Sequence, residues 1–269
     1  MFVIRKEAYM KKTFYYSDYN DDLVLNSNQD YKLKEDYKWV HNNPFYVASS
    51  FLLYKFLVNT VGRIYDRFFL KVSYKNRKIL LSRRKEGFFL YSNHTQQIGD
   101  VFIPAVGASP RRIYTVVSPS NFGIPVIGKI LTMIGALPTP SSLGEFREFR
   151  EGINKRIKDG HPVIIYPEAH LWPYYTKIRP FSDTSFKMPI DLGVAAFCQT
   201  VTYKKDKNSD KPKIVVYYDG PFYPDENLSK REAYKNLHDK VYKKMCERSS
   251  LSDYDYHDYI YVNKDEEVG

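Results

Sequence analysis

The sequence is short of several things, and each shortage removes a class of answers. Its 269 residues include two cysteines, Cys198 and Cys246, too few for a disulfide framework. Cys198 sits in an apolar run and reads as a core residue. Cys246 falls in a charged helical pattern, and both suit reduced thiols in a cytosolic protein. No window of about 18 uncharged residues exists, so a membrane-spanning helix is not expected. The opening Met1-Phe2-Val3-Ile4-Arg5 lacks an apolar stretch of signal-peptide length. No internal repeat stands out, no linker marks a domain boundary, and no Gly-x-Ser-x-Gly elbow occurs. Neither His-x-His nor His-Glu-x-x-His spacing is present.

Acidic residues are scarce in one stretch. Residues 44–90 hold ten Lys/Arg against two acids, a net +8 within a chain of net +10. The last segment, 249–269, carries −5. Basic charge concentrated in one segment points to an anionic partner: a membrane, a nucleic acid or a phosphorylated substrate. Aromatics are plentiful, with 25 Tyr and 17 Phe, which suit both cores and membrane interfaces.

The chain divides into four stretches. Residues 1–43 are polar and charge-balanced and read as a poorly packed N-terminal arm. Residues 44–70 start at a helix-initiating Pro44 and mix Phe, Leu and Val with Lys55, Arg63, Asp66 and Arg67. Such a stretch suits a helix lying in the plane of a membrane interface, or an ordinary helix packed on its own core. The basic run Lys71, Lys75, Arg77, Lys78, Arg83, Arg84 and Lys85 favours anionic headgroups.

Residues 71–248 alternate strands and helices, and 249–269 form an acidic, peripheral tail. Strands are expected at Val72–Tyr74, Ile79–Leu81, Phe88–Tyr91, Arg112–Val117, Val163–Tyr166, Phe197–Tyr203 and Ile214–Tyr218. Helices are expected at Pro125–Ile134, Glu145–Lys158 and Ser229–Arg248. In the second helix Phe146, Phe149, Ile153 and Ile157 share a face, and Asp159-Gly160 ends it. Lys204–Lys213 reads as a polar loop. The fold class that follows is α/β: a single domain with a mostly parallel central sheet flanked by helices, plus an N-terminal amphipathic helical segment.

Two polar clusters stand at strand ends. Asn93-His94-Thr95-Gln96-Gln97-Ile98-Gly99-Asp100 follows the apolar run Phe88–Tyr91, and Pro167-Glu168 follows Val163–Tyr166. A neutral imidazole takes a proton from a hydroxyl when its other nitrogen is held, and a carboxylate both holds it and stabilises the imidazolium. His94 is therefore the candidate base and Asp100 its orienter. Without a serine elbow, the nucleophile is a substrate hydroxyl. Pro167 ends its strand, so Glu168 points into whatever lies at the sheet edge. His170 follows, and Lys177 and Arg179 are candidate anion-binding groups.

At these residues the chain resembles the glycerolipid acyltransferases of the lysophosphatidic acid acyltransferase type. Their first signature, Asn-His-x4-Asp, is matched by Asn93-His94…Asp100. Their third, Phe-Pro-Glu-Gly-Thr-Arg, is matched by Tyr166-Pro167-Glu168-Ala169-His170-Leu171. The fourth is matched loosely by Leu192–Phe197. Order and spacing fit over roughly residues 45–220, and segment 44–70 looks like that family's membrane-docking helices.

The resemblance implies an acyl transfer. His94, oriented by Asp100, would take the proton of an acceptor hydroxyl as it attacks the thioester of acyl-CoA or of an acylated carrier protein. It implies no metal and no other cofactor. Asn93, Thr95, Glu168, His170, Lys177 and Arg179 stand as candidate substrate-binding residues. The expected partners are that donor, a lyso-lipid or other hydroxyl acceptor and an anionic membrane surface, with the protein peripheral on the cytoplasmic face of the cell membrane. Nucleic acid is not among them, because the interleaved aromatics are helical and unlike a stacking sheet.

The departures are specific. Five residues separate His94 from Asp100 where the family has four, and Gly99 is expected to absorb the extra one through a turn conformation closed to other residues. Leu171 replaces the family's Arg, and Gly135–Pro140, where a second Arg is expected, carries no charge. Either Lys177 or Arg179 takes over the acceptor's phosphate, or the acceptor has none there. Two readings from other classes remain: a non-catalytic lipid-binding protein of the same fold, and a metal-dependent hydrolase using His94, Asp100, Glu168 and His170.

Overall fold

A computed structural model of the chain describes residues 11–24 and 30–263. The reading of Met1–Arg5 and the last six residues of the tail lie outside the described residues. In chain order the elements are β1 (Thr13–Tyr16), α1 (Pro44–Phe56), β2 (Ser73–Lys75), α2 (Lys78–Leu81), β3 (Phe89–Ser92), α3 (Gly99–Ala108), β4 (Tyr114–Val117) and α4 (Ile127–Ile130). There follow β5 (Ala136–Pro138), α5 (Leu143–Lys158), β6 (Val163–Ile165), α6 (Lys187–Leu192), β7 (Ala196–Asp206), β8 (Ser209–Phe222), α7 (Lys230–Ser249) and β9 (Asp258–Tyr261).

Seven strands form the main sheet in the order β2-β8-β7-β3-β6-β4-β5. The β7–β8 pair is antiparallel and every other neighbour is parallel. This is the single-domain, mostly parallel sheet flanked by helices that the sequence pattern implies. The middle strand β3 is buried on both faces, as a parallel strand under two helical layers must be. Strand alternation sends Phe88 and Leu90 into a core with Tyr54, Val58 and Ile103. It sends Phe89 and Tyr91 into the opposite core with Phe149, Ile153, Leu237 and Val241.

Helix ends follow local chemistry. Asn43 accepts the N–H groups of Phe45 and Tyr46 and starts α1 at Pro44. Ser229 and Glu232 form a capping box at α7. The face predicted for α5 holds at Phe149, Ile153 and Ile157, which are buried, whereas Phe146 is half exposed. Gly160, at φ 78°, follows the end of α5 in the left-handed conformation open to glycine.

Several expectations are corrected. Ile79–Leu81 lies in the single turn α2, not a strand. The stretch 125–134 breaks into α4 and a 3₁₀ turn, Thr132–Ile134. Lys204–Lys213 is no loop: β7 and β8 continue through it, with Lys204 opposite Lys213 and a two-residue turn at Lys207-Asn208. The described parts of the arm and tail are not loose appendages. Their strands β1 and β9 pair in parallel, Thr13 opposite Asp258. Trp39 is buried, with its indole N–H donating to the Pro138 carbonyl, while Arg156 donates to the Trp39 carbonyl.

Segment 44–70 is helical throughout most of its length, α1 running on into wider π-type turns at Leu57–Gly62 and Tyr65–Phe69. Its buried side carries Tyr54, Val58 and Asp66. Among the described residues, no helix is long and apolar enough to cross a membrane.

Asp66 is 3% exposed, and its carboxylate accepts the Tyr74 hydroxyl, with Tyr218 close by. Burial pushes its pKa up to about 7, the Tyr74 hydrogen bond opposing. The native state therefore holds a proton that the unfolded chain releases at about pH 4. Stability is full below that pH and falls as pH rises toward 7. Asp66→Asn keeps an acceptor for Tyr74 and removes the charge. Thermal denaturation should show a gain in melting temperature several degrees larger at pH 8 than at pH 4; equal gains would refute the assignment.

Candidate active site

The site forms because β3 and β6 are adjacent and parallel, with Tyr91 opposite Ile165. The chain leaves both strands on the same edge of the sheet, so Asn93–Asp100 and Tyr166–Arg179 start side by side. Asn93 ties the first turn to the sheet: its amide donates to the Val201 carbonyl at 3.0 Å and accepts the Val201 N–H at 2.8 Å. Thr95 receives the Tyr203 hydroxyl on its Oγ1 at 2.6 Å. Both side chains are buried and engaged, so the expectation that Asn93 and Thr95 touch substrate is corrected: they hold the turn in place.

His94 stands between these anchors with a quarter of its side chain exposed. Its Nδ1 lies 2.7 Å from Asp100 Oδ2. The same oxygen accepts the Gln96 N–H at 2.9 Å, and the Asp100 N–H donates back to the Gln96 carbonyl. Asp100 is 4% exposed in the first turn of α3. Burial pushes its carboxyl up, opposed by His94 and by the N–H groups of Gln96 and Thr95. With Asp100 ionised, Nδ1 carries the hydrogen and Nε2 is the ring nitrogen able to take a proton. Tyr166 flanks the imidazole, ring centroids 4.6 Å apart, and donates its hydroxyl to the Asp100 carbonyl at 2.6 Å.

The extra residue is absorbed, though not by the device expected. Gly99 is not among the glycines with positive φ. Its contribution is space: a Cβ there would meet Gln96 Cβ at 2.8 Å and Leu70 Cδ1 at 3.1 Å. The chain turns tightly enough to return Asp100 to His94 because nothing projects from residue 99. The left-handed backbone falls instead on Ala169, at φ 61°, where the resembled family carries glycine.

Glu168 and Arg179 form a buried pair, 4% and 1% exposed. Glu168 Oε2 accepts the His94 N–H at 3.1 Å and Arg179 Nη2 at 3.2 Å, while Oε1 accepts the Arg179 N–H at 3.0 Å. Arg179 also donates to the carbonyls of His170 and, at 3.0 Å, Tyr19. A guanidinium so committed does not hold an acceptor's phosphate, which corrects that expectation for Arg179 and the substrate-binding expectation for Glu168. His170 and Lys177 do reach the surface. His170 Nδ1 stands 3.9 Å from Asp22 Oδ2, and Lys177 is exposed.

His94, Asp100, Glu168 and His170 do not converge on one point. No group of three or more His, Cys, Asp or Glu side chains that could hold a metal occurs among the described residues. Sequence reasoning missed Tyr166, Gln96, Tyr203 and Trp172 as parts of the site. Tyr166 carried a signal, an aromatic at a strand end beside Pro-Glu. Tyr203 and Trp172 carried none, since Thr95 and His94 are distant from them in sequence, and Gln96 acts through its backbone, which any residue type supplies.

Residues 71–204 match the family model described as Acyltransferase. Among solved structures the chain is similar to the 1-acyl-sn-glycerophosphate (LPA) acyltransferase PlsC from Thermotoga maritima. Identity is 16%, the TM-score is 0.55, and the match covers 81% of this chain and 92% of that one. No curated protein matches.

Gly99→Ala tests the turn. Overpacking against Gln96 and Leu70 should lower stability by about 1–3 kcal/mol in denaturant unfolding. It should also displace Asp100 from His94 in a crystal structure of the variant. Unchanged stability and an intact 2.7 Å contact would show that the space at residue 99 is not required.

Proposed function

We propose that this chain, whose residues 71–204 match the Acyltransferase family model, moves a fatty acyl group from a thioester donor to a hydroxyl of a lyso-glycerolipid or related acceptor. The observation that carries the mechanism is the 2.7 Å contact between His94 Nδ1 and Asp100 Oδ2. His94 Nε2 takes the acceptor's proton as its oxygen attacks the thioester carbon. The new C–O bond forms, a tetrahedral oxyanion develops, and the C–S bond breaks as the carbonyl returns. The imidazolium passes the proton to the departing thiolate, and Asp100 stabilises that imidazolium meanwhile. The donor is acyl-CoA or an acylated carrier protein, and the reaction needs no metal or redox cofactor. Lys177, exposed on the loop after Glu168, is the candidate for an acceptor phosphate, and His170 lines the same loop.

The protein works at the surface of an anionic membrane, with segment 44–70 as the docking element. Phe45, Leu52, Phe56, Phe68 and Phe69 are each more than half exposed. Apolar side chains left uncovered on one segment mark an interaction surface. Lys55, Arg63 and Arg67 stand among them and suit anionic headgroups. The cytoplasmic face of the cell membrane is the proposed location.

Two measurements test this. His94→Ala and Asp100→Asn should each keep the fold by circular dichroism and lose on the order of 10²–10⁴-fold in acyl transfer, the usual worth of a positioned base. Activity within a few-fold of wild type would remove His94 from the chemistry. In sedimentation with phosphatidylserine-containing vesicles at low salt, wild type should pellet and a Phe45→Ser/Leu52→Ser/Phe56→Ser variant should remain in solution. Equal pelleting of the two would reject docking through this helix.

A further inference from the structure

Both backbone polar groups of His94 are held by the loop after β6. Its N–H donates to Glu168, and its carbonyl accepts the Trp172 N–H at 3.0 Å. The Cα frame from which the imidazole hangs is therefore set by residues 168–172. That loop carries Ala169 in a left-handed conformation, which local preference alone would not maintain.

What maintains it lies outside the catalytic motifs. The Arg179 guanidinium fastens both ends of the loop's first turn, through Glu168 Oε2 and the His170 carbonyl. It lies over the Trp172 ring, 4.7 Å from the centroid. The N-terminal arm holds this stack from outside: the Tyr19 carbonyl accepts Arg179 Nη1, and the Asp21 carbonyl accepts Trp172 Nε1 at 2.9 Å. Tyr259 of β9 stacks on Trp172, the rings parallel within 5° and their centroids 5.4 Å apart. Its hydroxyl donates to the Pro173 carbonyl.

We propose that Arg179 is a positioning residue for His94: it acts through Glu168 and the 168–172 loop, and the β1–β9 sheet made from the two ends of the chain is part of the active-site scaffold. Arg179 touches no reacting atom. Its planar fork reaches three acceptors on two segments at once, and a point-charge ammonium cannot. Loosening the loop tilts the His94 frame relative to Asp100, whose own position is fixed by α3 and the Gln96 turn. For its kinetic arm the proposal rests on the acyl-transfer reading above.

The test uses the full chain with Arg179→Lys and Trp172→Phe, the second of which keeps an aromatic face under Arg179 but loses the bond to Asp21. For Arg179→Lys, kcat should fall at least tenfold per folded enzyme, with the KM for the thioester changed less than twofold. The acid limb of the pH profile of kcat/KM should move to lower pH, because an imidazolium less well paired with Asp100 gives up its proton more readily. Trp172→Phe should show the same changes at smaller size. Loss of folded protein alone would reduce the rate without moving that limb.

Hydrogen exchange gives an arm independent of activity. Amides of residues 94–96 should exchange at least tenfold faster in the folded variants, with the α7 amides unchanged. Wild-type kcat, pH profile and exchange in either folded variant would overturn the proposal. If wild type transfers no acyl group, the proposed function fails, and exchange at residues 94–96 still decides whether Arg179 fixes the His94 turn.

Discussion

A carboxylate removed from water must be met by donors, and Glu168 is met by groups from opposite ends of the site. It takes the N–H of the histidine turn on one oxygen and the backbone of residue 179 on the other, with the Arg179 guanidinium alongside. Burying either charge alone would cost several kcal/mol, so the pair is kept together or not at all. Through this pair the two strand-end loops are joined by direct hydrogen bonds. The rest of the site is arranged around this joint: His94 is suspended from it, Asp100 approaches from α3, and Tyr166 closes the side.

A neighbouring element shows the reverse arrangement. The helical segment from Pro44 to Phe69 keeps Tyr54, Val58 and Asp66 inward and leaves large apolar side chains in the open. Its inner side is coupled to the catalytic helix by close packing. Gly62 lies against Phe102 and Val106 of α3, and Leu70 touches Gly99 at the start of that helix. The helix that carries Asp100 is thus packed directly beneath the proposed docking element.

Much of this was legible in the sequence, for local reasons. Strand ends, the helix starts at Ser229 and Pro44 and the pairing of His94 with Asp100 are all written within a few residues of where they act. The apolar helix α3 was not, because a segment buried nearly all round lacks the 3.6-residue alternation that reveals a helix. The roles of Asn93, Thr95 and Arg179 were misread for a related reason. Their residue types suit substrate contact as well as scaffold, and only partners such as Val201, Tyr203 and Tyr19 decide between the two. Gly99 serves through the space it leaves and not through its φ, and a glycine chosen for space and one chosen for φ are the same letter.

The pairing of β1 with β9 has a consequence in time. Thr13 meets Asp258, 245 positions away, so closing this contact constrains nearly the whole chain. During synthesis β3, β6 and their loops emerge long before Asp258–Tyr261 exists, and until then Trp172 and Pro173 lack their contacts with Tyr259. A nascent chain at that stage has its sheet but not the lock on its histidine turn. The scaffold around the histidine turn is therefore completed only when β9, far along the chain from the residues it steadies, has folded against β1.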